Sequence, residues 1–209
     1  MEVITYYNKE KFSCNTYILK INETNIIVDP NDDSNNILDF LKNNKLKVDY
    51  ILITHAHFDH IRGLFNIYQN FKCKIVVSYK DYKFLFDDYV NLSLFNDIKP
   101  CSFEKSLFKE EDFILINGDE TIKISDLTCA VLDTPFHTTG SVCYYFVNEK
   151  ILFSGDTIFA QGYGRTDLIN AIDDVSTIKK SLNKILKLEK NIKIFPGHGE
   201  AFLIKDWKF

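Results

Sequence analysis

The opening of the chain alternates short β-like runs with polar clusters. Residues 2–7, 14–20 and 24–29 are rich in Ile, Val, Tyr and Thr, and Asn8 to Lys11 and Asn22-Glu23 separate them. This spacing predicts an antiparallel meander, ended by the turn-forming stretch Asp29-Pro30-Asn31-Asp32-Asp33. Ile37, Leu38, Phe40 and Leu41 then recur at helical spacing through Leu46. A strand over 49–53, a helix over 59–70 carrying Ile61, Leu64, Phe65 and Tyr68, and a strand over 74–78 continue an α/β alternation. From Asp81 to Gly118 the pattern loosens, with phenylalanines and tyrosines among acids, and short helices are expected. That stretch is either an irregular subdomain or a wall or lid over a functional site.

β character resumes at 121–124, 127–134, 142–147 and 150–154. A helix capped near Asp173 or Asp174 follows, with Val175, Ile178, Leu182, Ile185 and Leu186 on one face. A strand over 192–195 then leads to Pro196-Gly197-His198-Gly199. Two β-rich halves, each ending in helix, predict two sheets packed face to face with helices outside. No repeat or linker divides the chain, so one domain over 1–209 is expected.

Composition narrows the function classes. A hydrophobic content of 45% argues against disorder, and a net charge of -4 argues against a nucleic-acid surface, which needs a basic stripe. The five cysteines are odd in number and form no CxxC pair, as expected of reduced thiols in the cytoplasm. Cys129 and Cys143 lie in β-like runs and are expected to be buried as small hydrophobes. No apolar run approaches a membrane span, and Met1-Glu2-Val3 begins a strand pattern instead of a signal peptide.

Chemistry concentrates in Thr54-His55-Ala56-His57-Phe58-Asp59-His60, directly after an apolar strand. In extended backbone His55 and His57 point the same way and can reach one metal ion, while Asp59 and His60 face a second position. The two remaining histidines, His137 and His198, sit in turns after other strand-like runs. A dinuclear hydrolytic site needs about three protein ligands per metal, a bridging group and a place for water. His55, His57 and His137 can hold one ion, and Asp59, His60 and His198 the other. Asp156, in Phe153-Ser154-Gly155-Asp156-Thr157, is the natural bridging carboxylate.

HxHxDH, then His137-Thr138-Thr139-Gly140-Ser141, then Gly155-Asp156, then Gly197-His198-Gly199, in that order, resembles the metallo-β-lactamase superfamily, and within it the glyoxalase II-like hydrolases. The resemblance covers nearly the whole chain, including Asn15-Thr16-Tyr17-Ile18 and Ile27-Val28-Asp29-Pro30. It implies a four-layer αββα sandwich with the site at one edge. It further implies two divalent metal ions, zinc first and iron or manganese as alternatives, holding a hydroxide that attacks the carbonyl of a small-molecule thioester such as S-D-lactoylglutathione. Asp59 is then expected to orient the hydroxide and receive its proton.

The departures are specific. Thr139 stands where the family commonly has Pro, and Arg62 where it has Gly. The chain ends where typical glyoxalase II enzymes carry a C-terminal helical extension. Gly162-Tyr163-Gly164-Arg165-Thr166-Asp167 resembles the family's glutathione-contacting loop, with Asp167 in place of the usual aromatic. Arg165 is expected either to pair with a substrate carboxylate or to bridge to an acid such as Asp167. Tyr163 is expected to pack, with a further substrate contact as the alternative. The same loop occurs in persulfide dioxygenases, which use one iron, and His57, His137 and Asp156 would supply its ligands. A metal-binding protein without turnover is the third reading. A β-lactamase is disfavoured, because those enzymes usually differ at the position of His60.

Overall fold

The direction in which alternate side chains point decides the layering. The computed structural model describes residues 1–7, 13–31, 34–95 and 103–208, the side chains of residues 34 and 35 excepted. The turn residues Asn8 to Lys11, Asp32 and Asp33, and the thiol Cys101, lie outside them.

The first sheet runs β1 (Glu2–Tyr7), β2 (Asn15–Ile21), β3 (Thr24–Val28), β4 (Tyr50–Leu52), β5 (Lys74–Ser78) and β6 (Phe113–Ile116), in that spatial order. It opens as the expected antiparallel meander and is parallel from β3 onward. The second contains β7 (Glu120–Ile124), β8 (Leu127–Asp133), β9 (Val142–Phe146), β10 (Ile151–Gly155), β11 (Lys193–Pro196) and β12 (Phe202–Leu203), again neighbours in order. Its pairs are antiparallel except β10 with β11.

Tyr17, Leu19, Ile26, Val28, Leu52 and Val76 of the first sheet meet Val131, Tyr144, Phe146, Phe153 and Phe195 of the second in one buried cluster. The alternate residues Ile18, Ile27, Ile51, Ile75 and Val77 face outward. There they pack on Ile37 and Leu41 of α1 (Ser34–Asn43), on Phe58 and Ile61 of α2 (Phe58–Ile61), and on Leu64 and Ile67 of α3 (Leu64–Phe71). Beyond the short α4 (Tyr79–Tyr82), the outer face of the second sheet is covered by α5 (Val175–Leu186). Its Ile178, Leu182 and Ile185 join Cys143, Tyr145, Leu152 and Ile194. Strands apolar on both faces need cover on both sides, and the αββα layering supplies it.

Two helices depart from the sequence expectation. The helix expected over 59–70 is broken, because Gly63 N donates to Pro30 O at 3.0 Å instead of to a carbonyl in its own preceding turn. The first helix stops at Asn43, short of Leu46. Lys45 takes a left-handed φ of 54° and Leu46 N bonds to Leu41 O at 2.8 Å, a typical helix end. β6 and β12 carry no period-2 signal that the sequence reading detected. Asp174 caps α5 as expected, accepting from Thr177 N at 2.8 Å.

The aromatic residues of the 81–118 stretch divide in two. Tyr82, Phe86, Phe103, Phe108 and Phe113 pack on one another and on Phe65, and extend the outer cluster of the first sheet. Leu92 and Phe95 instead line a cavity described below.

Cys14, Cys73, Cys129 and Cys143 are free and buried. Burial pushes the first three thiols up to about 12 and Cys143 to about 11, so all four are protonated. Among the described residues no helix is long and apolar enough to cross a membrane.

Candidate metal centre

The loops following β4, β8, β10 and β11 carry the predicted ligands, and the first, second and last are fixed by side chains that are not among those ligands. Thr54 N and Oγ1 donate to Asp29 Oδ1 and Oδ2 at 2.8 and 2.6 Å. Ala56 N donates to Asp81 Oδ2 at 2.9 Å, so two buried carboxylates hold the segment bearing His55 and His57. Asp81 Oδ2 also accepts from Thr138 Oγ1 at 2.8 Å, which fixes the loop of His137. Asn15 Nδ2 donates to Pro196 O and Gly199 O at 3.1 and 2.8 Å, bracketing His198.

All seven predicted ligands converge. Their donor atoms form three groups, His55/His57/His137, His55/His60/Asp156 and Asp59/His60/His198, with the atoms of each group within 4.8 Å of one another. Asp156 lies between the two predicted ligand sets. Its Oδ1 is 3.4 Å from His60 Nε2, and its Oδ2 is 3.4 Å from His137 Nε2 and 3.5 Å from His198 Nε2. Asp59 Oδ2 stands 3.2 Å from His198 Nε2.

The hydrogen-bond network assigns the imidazole tautomers. His137 Nδ1 donates to Arg165 O and His60 Nδ1 to Asp29 Oδ2, both at 2.9 Å. His55 Nδ1 donates to Thr54 Oγ1 at 3.2 Å, since that hydroxyl spends its own proton on Asp29. His55 and His137 therefore turn an Nε2 lone pair to the centre, the state in which histidine binds a metal, and the bond to Asp29 leaves Nε2 as the atom that His60 offers there. His55, His57 and His60 Nε2 and Asp156 Oδ1 are buried without a hydrogen-bond partner. An unsatisfied buried polar atom costs about 1–3 kcal/mol, and a cation shared among the His55, His60 and Asp156 atoms would remove that cost; His57 meets His137 Nε2 through its other nitrogen, Nδ1, at 3.0 Å.

The protonation states divide the imidazoles in two. Burial, then neighbouring imidazoles, pulls His55 well below the ordinary value and His57 to about 3; burial also lowers His137. Burial works upward on Asp59 and Asp156, but His60 and His198 outweigh it and both carboxyls end up lowered. Burial works downward on His60 and His198 in turn, but the neighbouring acids outweigh it and both imidazoles end up raised, so a divalent cation bound among these groups would displace their protons.

Two glycines let these loops meet. A Cβ on Gly155, which has a φ of +48°, would collide with Thr54 Oγ1. A Cβ on Gly197 would collide with Asp156 Oδ1 and stand 2.7 Å from His60 Cε1.

The centre opens into a cavity of about 640 Å³, with His57, Asp59, His137, Asp156 and His198 at its floor. Tyr163 and Arg165 border it. Tyr163 packs edge-on against Phe136, and Arg165 Nε and Nη2 donate to Asp167 at 2.8 and 2.9 Å with both side chains mostly exposed. The bridge to Asp167 is thus formed, on the rim of the cavity.

Sequence reasoning missed the supporting carboxylates. Asp29, with a φ of 50°, read as the start of a turn, although an acid closing an apolar strand was the available signal. Asp81 read as the start of an irregular stretch. Burial raises its carboxyl to about 6. Ionised Asp81 therefore costs stability above that pH and nothing once it is protonated in folded and unfolded chains alike. Asp81→Asn, which keeps a carbonyl acceptor, is expected to gain on the parent between about pH 4 and pH 6. Above about pH 6 it should hold a lead of about 3 kcal/mol. Melting of both metal-free proteins across that range checks it; a lead independent of pH contradicts it.

The chain matches the model of the Metallo-beta-lactamase superfamily over residues 10–198. It is 33% identical over 205 residues to a probable metallo-hydrolase of Methanocaldococcus jannaschii, covering 95% of this chain and 93% of that one. It is 31% identical over 199 residues to a hydroxyacylglutathione hydrolase of Francisella philomiragia, covering 95% of this chain and 68% of the relative. The crystal structure of the BLEG-1 B3 metallo-beta-lactamase superposes with a TM-score of 0.83 at 32% identity, over 92% of this chain and 90% of that one.

Proposed function

This chain belongs to the metallo-beta-lactamase superfamily, and we propose from that premise that it is a metal-dependent thioester hydrolase of the glyoxalase II kind. The observation that carries the reading is the convergence of seven His and Asp donors, with buried, partnerless atoms among them, at the floor of an open cavity. His55, His57 and His137 would hold one ion, Asp59, His60 and His198 the other, and Asp156 both. Zinc is the first ion to test, and iron and manganese suit the same nitrogen and oxygen donors. Two bound divalent ions would supply a water whose pKa falls from about 15.7 to about 7, and a Lewis acid for the carbonyl oxygen.

The side chains supply the rest. Asp59 borders the cavity, is held ionised, and is placed to take the proton of the attacking water at Oδ2. His198 Nε2 stands 3.2 Å from that oxygen, close enough for both atoms to reach one ion. A thiolate, with a conjugate acid near about 8.5, leaves without a strong general acid, whereas an amine does not. A site whose two floor carboxyls, Asp59 and Asp156, are held ionised therefore suits a thioester. The four described thiols, all buried and protonated, accord with the reducing cytoplasm, where we place the protein.

A mononuclear dioxygenase would use His57, His137 and Asp156 and leave Asp59, His60 and His198 without a task. A closed structural metal site would leave the cavity without one. The test is turnover of S-D-lactoylglutathione by metal-loaded protein, beside nitrocefin hydrolysis and oxygen uptake on glutathione persulfide. Thioester cleavage ahead of both is expected; oxygen uptake or nitrocefin turnover without it overturns the assignment. We place Arg165 and Tyr163 at the rim as substrate contacts. Because its present partner is a solvent-exposed acid, Arg165→Ala is expected to raise KM about two- to fivefold at unchanged kcat. An unaltered KM would confine Arg165 to its bridge with Asp167.

A further inference from the structure

The cavity has a polar floor and an apolar wall. Away from the candidate ligands that wall is Phe58, Leu92, Phe95, Phe159, Leu168 and Ile169, contributed by three separate segments. Among the described residues Arg165 is its one basic side chain apart from histidines, and the guanidinium is doubly engaged by Asp167. A volume of about 640 Å³ is that of a small-molecule site. Glutathione brings two carboxylates and an ammonium, and a 2-hydroxyacyl group adds a hydroxyl. The wall offers such groups few partners, and a desolvated polar group without a partner weakens binding. A buried methylene strengthens it by about fourfold. Phe95 is 59% exposed, so a ligand on the wall would cover an aromatic ring now facing solvent.

Building on the thioester reading, we propose that the substrate carries an apolar group beside the thioester, an aromatic ring or an aliphatic chain of about six carbons, and that this group fills the cavity. A glutathione portion, where present, then extends toward Arg165 and the solvent.

Two thioethers that cannot be cleaved test this apart from catalysis. S-hexylglutathione and S-methylglutathione share every polar group and differ only in the apolar one. Calorimetric titration of the metal-free and the metal-loaded protein is expected to show the hexyl compound binding at least about tenfold more tightly in both. Leu168→Asp, its fold checked by circular dichroism, should bring that ratio below about threefold; Phe95→Asp serves if the first variant does not fold. Equal affinities for the two thioethers, or an undiminished ratio in the folded variant, overturn the proposal. Turnover of S-hexanoylglutathione beside S-D-lactoylglutathione keeps the two readings separate. Tighter hexyl binding with neither thioester cleaved would remove the hydrolase reading and leave the apolar site standing. A preference for the lactoyl compound with both cleaved would do the reverse.

Discussion

Asp59→Ala is expected to lower thioester turnover by about two to four orders of magnitude with the fold intact. Asp59 sits in the four-residue helix α2 and contributes nothing to the apolar cluster that Phe58 and Ile61 enter. Its carboxylate faces His198 and His60 instead, at 3.2 and 3.7 Å. Removing it takes away one donor and the group assigned to accept the proton of water, and leaves the layers untouched. Steady-state kinetics at saturating metal, with melting as control, reads the effect. Turnover within about threefold of the parent would take Asp59 out of the reaction.

The second large effect is expected from adding a single methyl group. Gly197→Ala puts a carbon where Asp156 Oδ1 now stands and 2.7 Å from His60 Cε1. Gly197 N bonds to Gly155 O at 2.8 Å and Gly197 O accepts from Asn15 N at 2.6 Å, so the loop has little room to retreat. The side chain that must yield is the carboxylate between the two ligand sets. We expect metal affinity to fall at least about 100-fold, beyond the usual cost of disturbing a supporting residue, and activity to fall with it. Competition against a chromophoric chelator gives the affinity directly. Parent-like affinity would mean that Asp156 is not a bridge.

What the sequence disclosed and what it hid differ in range. The strands were legible because short runs rich in β-branched and aromatic residues, such as Tyr17 to Leu19 or Ile26 to Val28, stand between turn-forming polar clusters. The ligands were legible because imidazoles are few and cluster after apolar runs. Asp29 and Asp81 act through backbone amides 25 residues away in each case, Thr54 N and Ala56 N, and no local pattern marks such a partner. The break at Gly63 has the same origin, a bond to Pro30 formed only when the layers close. β6 was hidden because it follows a stretch whose aromatic residues pack on one another instead of repeating along a strand. The wall of the cavity, drawn from three segments, could be assembled only in space.

Anomalous diffraction from metal-loaded crystals, recorded above and below the absorption edge of the ion supplied, bears most directly on the site. Two peaks are expected, one among His55, His57 and His137, the other among Asp59, His60 and His198, with an Asp156 oxygen beside each. One peak alone, or density anywhere else, contradicts a paired-ion centre.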